Sequence, residues 1–478
     1  MTNTLPEIVL FNSMGRKPEP LRPIVPGEVS LYCCGPTVYN YQHIGNLRTY
    51  LFEDFLVRTM RYVGYKVKHI MNITDVGHLV SDADDGEDKM AVASKREGKR
   101  SEEIAAFYTE IFFDHCRWLN IVRPDVVCKA TDHIPQMLDL IKRLEEKGAA
   151  YLSGGNVYFD VSKSADYGKL AGLDLESLKA GARIEVDSQK RNPLDFALWF
   201  TKSKFENQEM QWDSPWGRGY PGWHIECSAM AMHYLGEHFD IHCGGIDHIP
   251  VHHTNEIAQS ETATGKSFAA IWLHGGFLVV NKDKMSKSTG EFLTLDRLKE
   301  KGIDPISYRL FCMSGSYRHE LSWSWEALES AANTLRRIKN TVIGWVVSGV
   351  NREGIPDEKN KQVATYLKRF RNEIVNDLGF PKAIAVMHEL IGDSSIDIDQ
   401  RYALMKDFDR VLGLGVAEWK QEDEVELPAD IKALVDARKH ARATKDWKSS
   451  DELRDKLAAL GYVVEDAKDG MRVKKING

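Results

Sequence analysis

The chain has 478 residues, 43% of them hydrophobic and 28% charged, which is ordinary globular composition with room for roughly three domains. Its formal net charge of −7 excludes a chain that is basic throughout, so any RNA-reading surface has to be local. Seven cysteines scattered through so long a chain argue against a disulfide scaffold. The stretch from Met1 to Glu19 lacks the apolar core of a secretory signal, and no apolar run approaches the ~20 residues that span a bilayer. A cytoplasmic location is the expectation.

In chain order, Glu28 to Cys34 alternates, with Val29, Leu31 and Cys33 apolar, and reads as a buried strand closed by Gly35-Pro36. From Asn46 the apolar residues Leu47, Leu51, Phe55, Leu56 and Met60 recur near helical spacing until Gly64 stops them. Tyr65 to Met71 reads as the next strand. This is a βαβ unit, and it implies a parallel α/β sheet. A second α/β portion begins at Phe239 to Cys243, a strand running into Gly244-Gly245. His252 to Thr264 follows as a helix, and Ile271 to Val280 as interrupted strand material. From Trp325 to about Leu414 the pattern is helix after helix, with Leu335, Ile338, Val342 and Trp345 apolar.

The expected organisation is therefore a Rossmann-like parallel-sheet catalytic domain in two halves, 1–115 and 220–324, parted by an insertion at 116–219. A helical bundle at 325–417, an acidic linker at 418–427 and a small domain of helices with a β tail at 428–478 complete it.

Two short strings carry the chemistry. His43-Ile44-Gly45-Asn46 sits where a strand hands over to a helix, and Lys284-Met285-Ser286-Lys287-Ser288 sits on a polar loop after an apolar strand. A helix N-terminus offers unsatisfied N–H groups and a positive dipole end, so it favours phosphates. Gly45 leaves room for a nucleotide to approach the backbone. His43 and Asn46 are donors that can follow a phosphate into its transition state. Lys284 and Lys287 supply positive charge on a loop, suited to stabilising that state more than the ground state. Either string alone reads as a capping histidine or a solvated lysine loop. The pair, in this order, points to an ATP site.

The two strings together resemble the paired signatures of class I aminoacyl-tRNA synthetases. Tyr32-Cys33-Cys34-Gly35-Pro36-Thr37-Val38-Tyr39, Gly222-Trp223-His224-Ile225-Glu226-Cys227-Ser228-Ala229-Met230 and His252-His253-Thr254-Asn255-Glu256 narrow this to the cysteinyl-tRNA synthetase family. The runs Asp436-Ala437-Arg438 and Lys445-Asp446-Trp447 resemble that family's terminal domain, so the likeness spans essentially the whole chain. The resemblance implies activation of L-cysteine by ATP with Mg²⁺ and transfer to the 3′-terminal ribose of tRNA(Cys). It implies one Zn²⁺ held by Cys34, Cys227, His252 and Glu256. Zinc binds a thiolate strongly and an alcohol poorly, which would reject serine without a proofreading domain. It further implies a substrate pocket lined by Thr74, Trp223, His242 and Asp247, acceptor-end contacts from the insertion, and an anticodon-binding C-terminal domain. A monomer without a membrane partner is expected.

From the residues themselves, His252 and Glu256 are i and i+4 on one helix face, and an N/S/O donor set suits tetrahedral zinc. Ligands dispersed in this way, rather than paired as CxxC, are more commonly buried thiols beside a helical histidine. Cys33 and Cys34 are strand neighbours on opposite faces, so only one can reach a site. The resemblance selects Cys34, and Cys243 is read as a bystander. The acidic run Asp82-Ala83-Asp84-Asp85-Gly86-Glu87-Asp88 has its glycine one place early for a calcium loop and reads as solvated. Asn46 stands where many class I enzymes have a second histidine, which keeps a donor but no imidazolium. Thr254 stands where a glutamate is common in the family.

From Pro428 onward there are 12 Lys and Arg against 9 Asp and Glu, so this block is net +3. Arg438, Arg442 and Lys445 fall at i, i+4 and i+7, one predicted helix face, with Trp447 near for stacking; this is the expected tRNA-contacting set. Two other readings stay open: a cysteine ligase with a small amino-sugar acceptor, and a non-catalytic RNA-binding relative.

Overall fold

The computed structural model describes residues 5–77, 89–172, 189–202, 209–280, 283–284, 293–421, 428–467 and 470–475. The chain divides into two compact units, Met1–Trp419 and Lys420–Gly478. The expected loop at Asp82–Asp88 and most of the lysine signature, Lys287 included, lie outside the described residues.

A five-stranded parallel sheet organises the first unit. Its strands are β1 (Glu28–Cys33), β2 (Lys66–Ile73), β3 (Val126–Lys129), β4 (Phe239–Gly245) and β5 (Ala269–Gly275), in spatial order β5-β4-β1-β2-β3. The register sets Cys33 beside Cys243 and beside Met71, so the carboxyl ends of β1, β2 and β4 meet at one edge. That edge is where open α/β sheets bind ligands.

Alternation along β1 sorts its side chains between two cores. Val29, Leu31 and Cys33 share one core with α1 (Ile44–Tyr62). Tyr32 and Cys34 belong to the other, with α2 (Ile134–Glu146), α3 (Trp223–Leu235) and α4 (His252–Thr264). Beyond β5 the chain makes a small second sheet of β6 (Leu278–Val280), β7 (Asp283–Lys284) and β8 (Leu321–Trp323), in the order β7-β6-β8.

The segment expected as an insertion at 116–219 begins inside the helix Ser101–Trp118 and takes in β3 and α2, which belong to the parallel sheet and its covering layer. What is added to the sheet is an antiparallel unit of Ala150–Ser153, Asn156–Phe159, Phe196–Phe200 and Tyr220–Pro221. Strand β3 is only Val-Val-Cys-Lys, too short for periodicity to register. The helices α5 (Trp325–Val347), α6 (Lys361–Val375), α7 (Phe380–Gly392) and α8 (Ile398–Leu412) follow as the periodicity predicts. Their buried residues continue the α1 core, so no separate domain begins at 325.

Arg309 on the helix Pro305–Cys312 joins this region to α1. It is fully buried, pairs with Asp54 of α1 at 2.6 Å, and donates to the carbonyls of Leu119 at 3.0 Å and Leu412 at 2.5 Å. Asp54 also receives Arg58 at 2.8 Å. Removing one partner of a buried, hydrogen-bonded pair leaves an uncompensated charge. Arg309→Met is expected to destabilise the first unit by about 3–5 kcal/mol, read as an earlier urea unfolding transition.

The second unit is built from α9 (Ala429–Ala443), α10 (Trp447–Ala459) and the hairpin β9 (Tyr462–Ala467) and β10 (Gly470–Lys475). Ile431, Val435, Leu457, Tyr462 and Val464 form its small core. The single face expected of Arg438, Arg442 and Lys445 is not what the structure shows. Helix α9 stops at Ala443, Lys445 adopts φ of +61° beyond it, and Arg438 is only 2% exposed. Periodicity ran the face through a helix end that Thr444 and Asp446 in fact make. Arg442 instead lies 5.6 Å from the ring of Trp447, which is 56% exposed. Among the described residues, no helix is long and apolar enough to cross a membrane.

Candidate metal centre and signature motifs

Cys34 is the first residue past β1, and its N–H donates to the Cys243 carbonyl at 3.1 Å, which holds it at the sheet edge. The next residue must be glycine: a Cβ on Gly35 would lie 1.6 Å from the Asn72 carbonyl oxygen of β2. Gly35 N–H donates to Asn72 Oδ1 at 2.8 Å, so β1 and β2 are pinned together where Cys34 turns in. Cys227 comes from the second turn of α3, and His252 and Glu256 from the first turns of α4.

The structure brings the ligand atoms of Cys34, Cys227, His252 and Glu256 within 4.8 Å of one another, all buried. The two Sγ atoms are 3.8 Å apart, and His252 Nε2 lies 3.1 Å from Glu256 Oε1. Two sulfurs each ~2.3 Å from a tetrahedral zinc would sit about 3.8 Å apart. The donor set therefore fits that ion in chemistry and spacing.

Behind these donors stands a layer of histidines. His252 Nδ1 contacts His224 Nδ1 at 3.0 Å, and its ring stacks on Trp223 at 4.2 Å. His242 Nε2 is 2.9 Å from Glu256 Oε2, and its ring lies flat on Trp272 at 4.6 Å. His253 Nε2 faces Cys34 Sγ at 3.3 Å, while its Nδ1 meets His274 Nε2 at 2.8 Å. His274 Nδ1 in turn meets Ser13 Oγ at 2.8 Å. Cys34, His242, His253 and Glu256 thus form a second overlapping donor set. Gly244 makes room for this layer, since a Cβ there would lie 2.6 Å from the His248 ring and 2.7 Å from that of His253.

Burial, then the neighbouring imidazoles, holds His253 and His274 well below the usual histidine range, so both rings are neutral. Burial pushes the Cys34 thiol well above its usual range, and a divalent cation beside it would reverse that preference. The sequence reading missed His253 and His274. The available signal was the bunching of histidines at the ends of β4 and β5 and the start of α4.

His43 is the N-cap of α1, and its Nδ1 accepts from Asn46 N–H at 3.1 Å. An accepting Nδ1 places the ring proton on Nε2, making that atom a donor. The space over Gly45 is taken by that ring: a Cβ would lie 3.0 Å from its Cε1 and Nδ1. The glycine thus admits the capping imidazole. Lys284 lies on β7, opposite Val279, rather than in a loop.

Of the expected pocket residues, Thr74 is buried and donates to Glu226 Oε2 at 3.5 Å. Trp223 opens α3 half-buried, and Asp247 is exposed in the turn Ile246–His248 after β4. Cys33 and Cys243 are register partners in the α1 core, apart from the Cys34 donor set.

Residues 20–333 match the family model described as the tRNA synthetases class I (C) catalytic domain, and residues 424–473 the cysteinyl-tRNA ligase anticodon binding domain. The chain is 48% identical to a cysteine–tRNA ligase of Treponema denticola, over 98% of this chain and 99% of that one. It belongs to the cysteine–tRNA ligase family. A relative from Burkholderia lata, named cysteine–tRNA ligase 1, is 45% identical over 98% of this chain and 96% of its own length. Among solved structures, methionyl-tRNA synthetase of Mycobacterium tuberculosis with methionyl-adenylate aligns at a TM-score of 0.57 and 17% identity, covering 82% of this chain and 91% of that one. That likeness establishes the shared class I fold.

Cys34 lies in both donor sets, whereas Cys227 lies in one. Cys34→Ala is expected to weaken zinc binding by at least about 100-fold, because loss of a ligand costs more than loss of its hydrogen-bonded support. Cys227→Ala, which leaves the second set whole, is expected to lose less. Competition against a chromophoric chelator reads both.

Proposed function

We propose that the protein is a cysteine–tRNA ligase that activates L-cysteine with ATP and transfers it to the 3′-terminal ribose of tRNA(Cys). One observation carries the reading: two thiols 3.8 Å apart, with His252 and Glu256, gather at the sheet edge next to the junction where His43 caps α1. A zinc ion held by Cys34, Cys227, His252 and Glu256 would supply affinity for the substrate's thiolate over an alcohol.

The chain's own groups do the rest. Trp223 stacks on His252 and Thr74 donates to Glu226, so both stiffen the wall around the donor set. His242 holds Glu256 in place through Nε2. The amino acid's carboxylate oxygen attacks the α-phosphorus of ATP, the bond to the bridging oxygen breaks, and pyrophosphate leaves. Charge grows on the phosphate oxygens, and in this reading the N-terminus of α1 and the donors of His43 and Asn46 stabilise it. Lys284 and Lys287 add positive charge from the lysine signature, and Asp247 lies after β4 on the same edge. A ribose hydroxyl then attacks the activated carbonyl, and AMP leaves.

In this reading ATP enters as its Mg²⁺ complex, the antiparallel unit contacts the acceptor end, and the enzyme works as a cytoplasmic monomer. The C-terminal unit reads the anticodon, with the exposed Trp447 as a stacking platform, half-buried Arg442 5.6 Å from its ring, and Lys445 exposed nearby. Arg438, being buried, supports that surface instead.

Charging of bulk tRNA with labelled amino acid tests the assignment. A site that selects by a partner its competitor cannot supply discriminates by about 10,000-fold, well beyond the ~10–200-fold that a methylene's worth of shape gives. Cysteine is expected to be charged at least about 1,000-fold better than serine. Comparable charging of serine contradicts the reading.

A further inference from the structure

Arg48 lies in the second turn of α1, is only 4% exposed, and has no carboxylate among its hydrogen-bond partners in the described residues. Its guanidinium instead spans four backbone carbonyls. Nη1 donates to Gly276 at 2.6 Å and Phe277 at 2.5 Å; Nη2 donates to Ser316 at 3.1 Å and His319 at 2.6 Å. A buried guanidinium whose hydrogen bonds among the described residues all go to carbonyls is costly, and the planar fork suits arginine.

The identity of those carbonyls matters. Gly276 and Phe277 join β5 to β6, and 316–319 lead into β8, so Arg48 grips the two chain segments that feed the small sheet. Strand β7 of that sheet carries Lys284, at the start of the lysine signature. The packing is tight: a Cβ on Gly276 would lie 2.5 Å from the His319 carbonyl oxygen. At the other end of the signature, the Leu293 carbonyl accepts from Ile44 N–H at 2.8 Å, and Tyr308 Oη donates to the Ile44 carbonyl at 2.7 Å. Both flanks of the lysine segment are therefore fastened to the first two turns of the helix that His43 caps.

We infer that Arg48 is a positioning residue for adenylate formation, which sets the lysine signature relative to the phosphate-binding start of α1. The inference rests on the ligase reading. Its action is on the transition state: an error of about 1 Å in such an alignment costs about 100-fold in rate. Because Arg48's hydrogen-bond partners, Gly276, Phe277, Ser316 and His319, belong neither to the donor set nor to the proposed pocket residues, cysteine binding and zinc content stay as they are.

The test is cysteine-dependent ATP–pyrophosphate exchange by wild type, Arg48→Lys, Lys287→Ala and the double variant, with zinc content measured in each. Arg48→Lys keeps charge and stem but cannot span four carbonyls in two directions. It is expected to lower kcat about 100-fold with both KM values within about threefold and zinc unchanged. On the Lys287→Ala background it is expected to cost less than about threefold, because both changes remove one interaction. Unchanged kcat, an equal cost on both backgrounds, or a loss carried by the cysteine KM or by zinc overturns the inference. Gly276→Ala, which keeps Arg48 but displaces its acceptors, is expected to give the same kcat-only loss, and normal kcat there also overturns it. Wild type without exchange overturns the ligase reading and this inference with it; an active wild type with an indifferent Arg48→Lys overturns this inference alone.

Discussion

Everything in the first unit depends on the parallel pairing of β1 with β4, two strands about 210 residues apart in sequence. That pairing puts Cys33 level with Cys243, and so sets Cys34 and the end of β4 at one edge. A long crossover is the only way to make two such strands parallel, and the crossover delivers what the site needs. It brings α3 with Cys227, and the turn after β4 brings α4 with His252 and Glu256. A one-residue slip of β1 would send Cys34 into the α1 core and Cys33 toward the donor set. Gly35, which no side chain can replace against Asn72, stands at that point in the register.

The same edge concentrates groups that are expensive to bury. Glu256, His242, His252 and His253 are each 1% exposed or less, and Cys227 is equally buried. Without a cation, burial holds the Cys34 thiol protonated, well above the usual thiol range. A bound divalent cation reverses that preference, because it favours thiolate and carboxylate together. The histidine layer then has a plain physical role. His252 and Glu256 each have an outer polar atom with a partner, His224 and His242 respectively, which fixes orientation in the way outer-shell partners do.

Much of this was legible in the residues. The alternation of Glu28–Cys34, the helix ending near Gly64, and the helix His252–Thr264 all appear at or within a few residues of their expected bounds. The parallel α/β class followed from the βαβ pattern. What was not legible came from short elements and from three dimensions. Strand β3 has four residues and no usable period, so the expected insertion takes it in. The face through Arg438 and Lys445 assumed a helix that a turn interrupts, a boundary that periodicity cannot resolve. His253 and His274 reach the site from a helix and a strand whose neighbourhood only the fold creates. Arg48 looked like one more residue on an amphipathic helix, and only its four carbonyl partners reveal what it holds.

The central claim is that the substrate is chosen by its sulfur at the Cys34, Cys227, His252 and Glu256 cluster. X-ray absorption at the zinc edge of the zinc-loaded protein tests it most directly, because it counts sulfur neighbours. The account predicts that two sulfurs from the protein become three when cysteine is added, and stay at two with serine. An unchanged sulfur count on saturation with cysteine would contradict it.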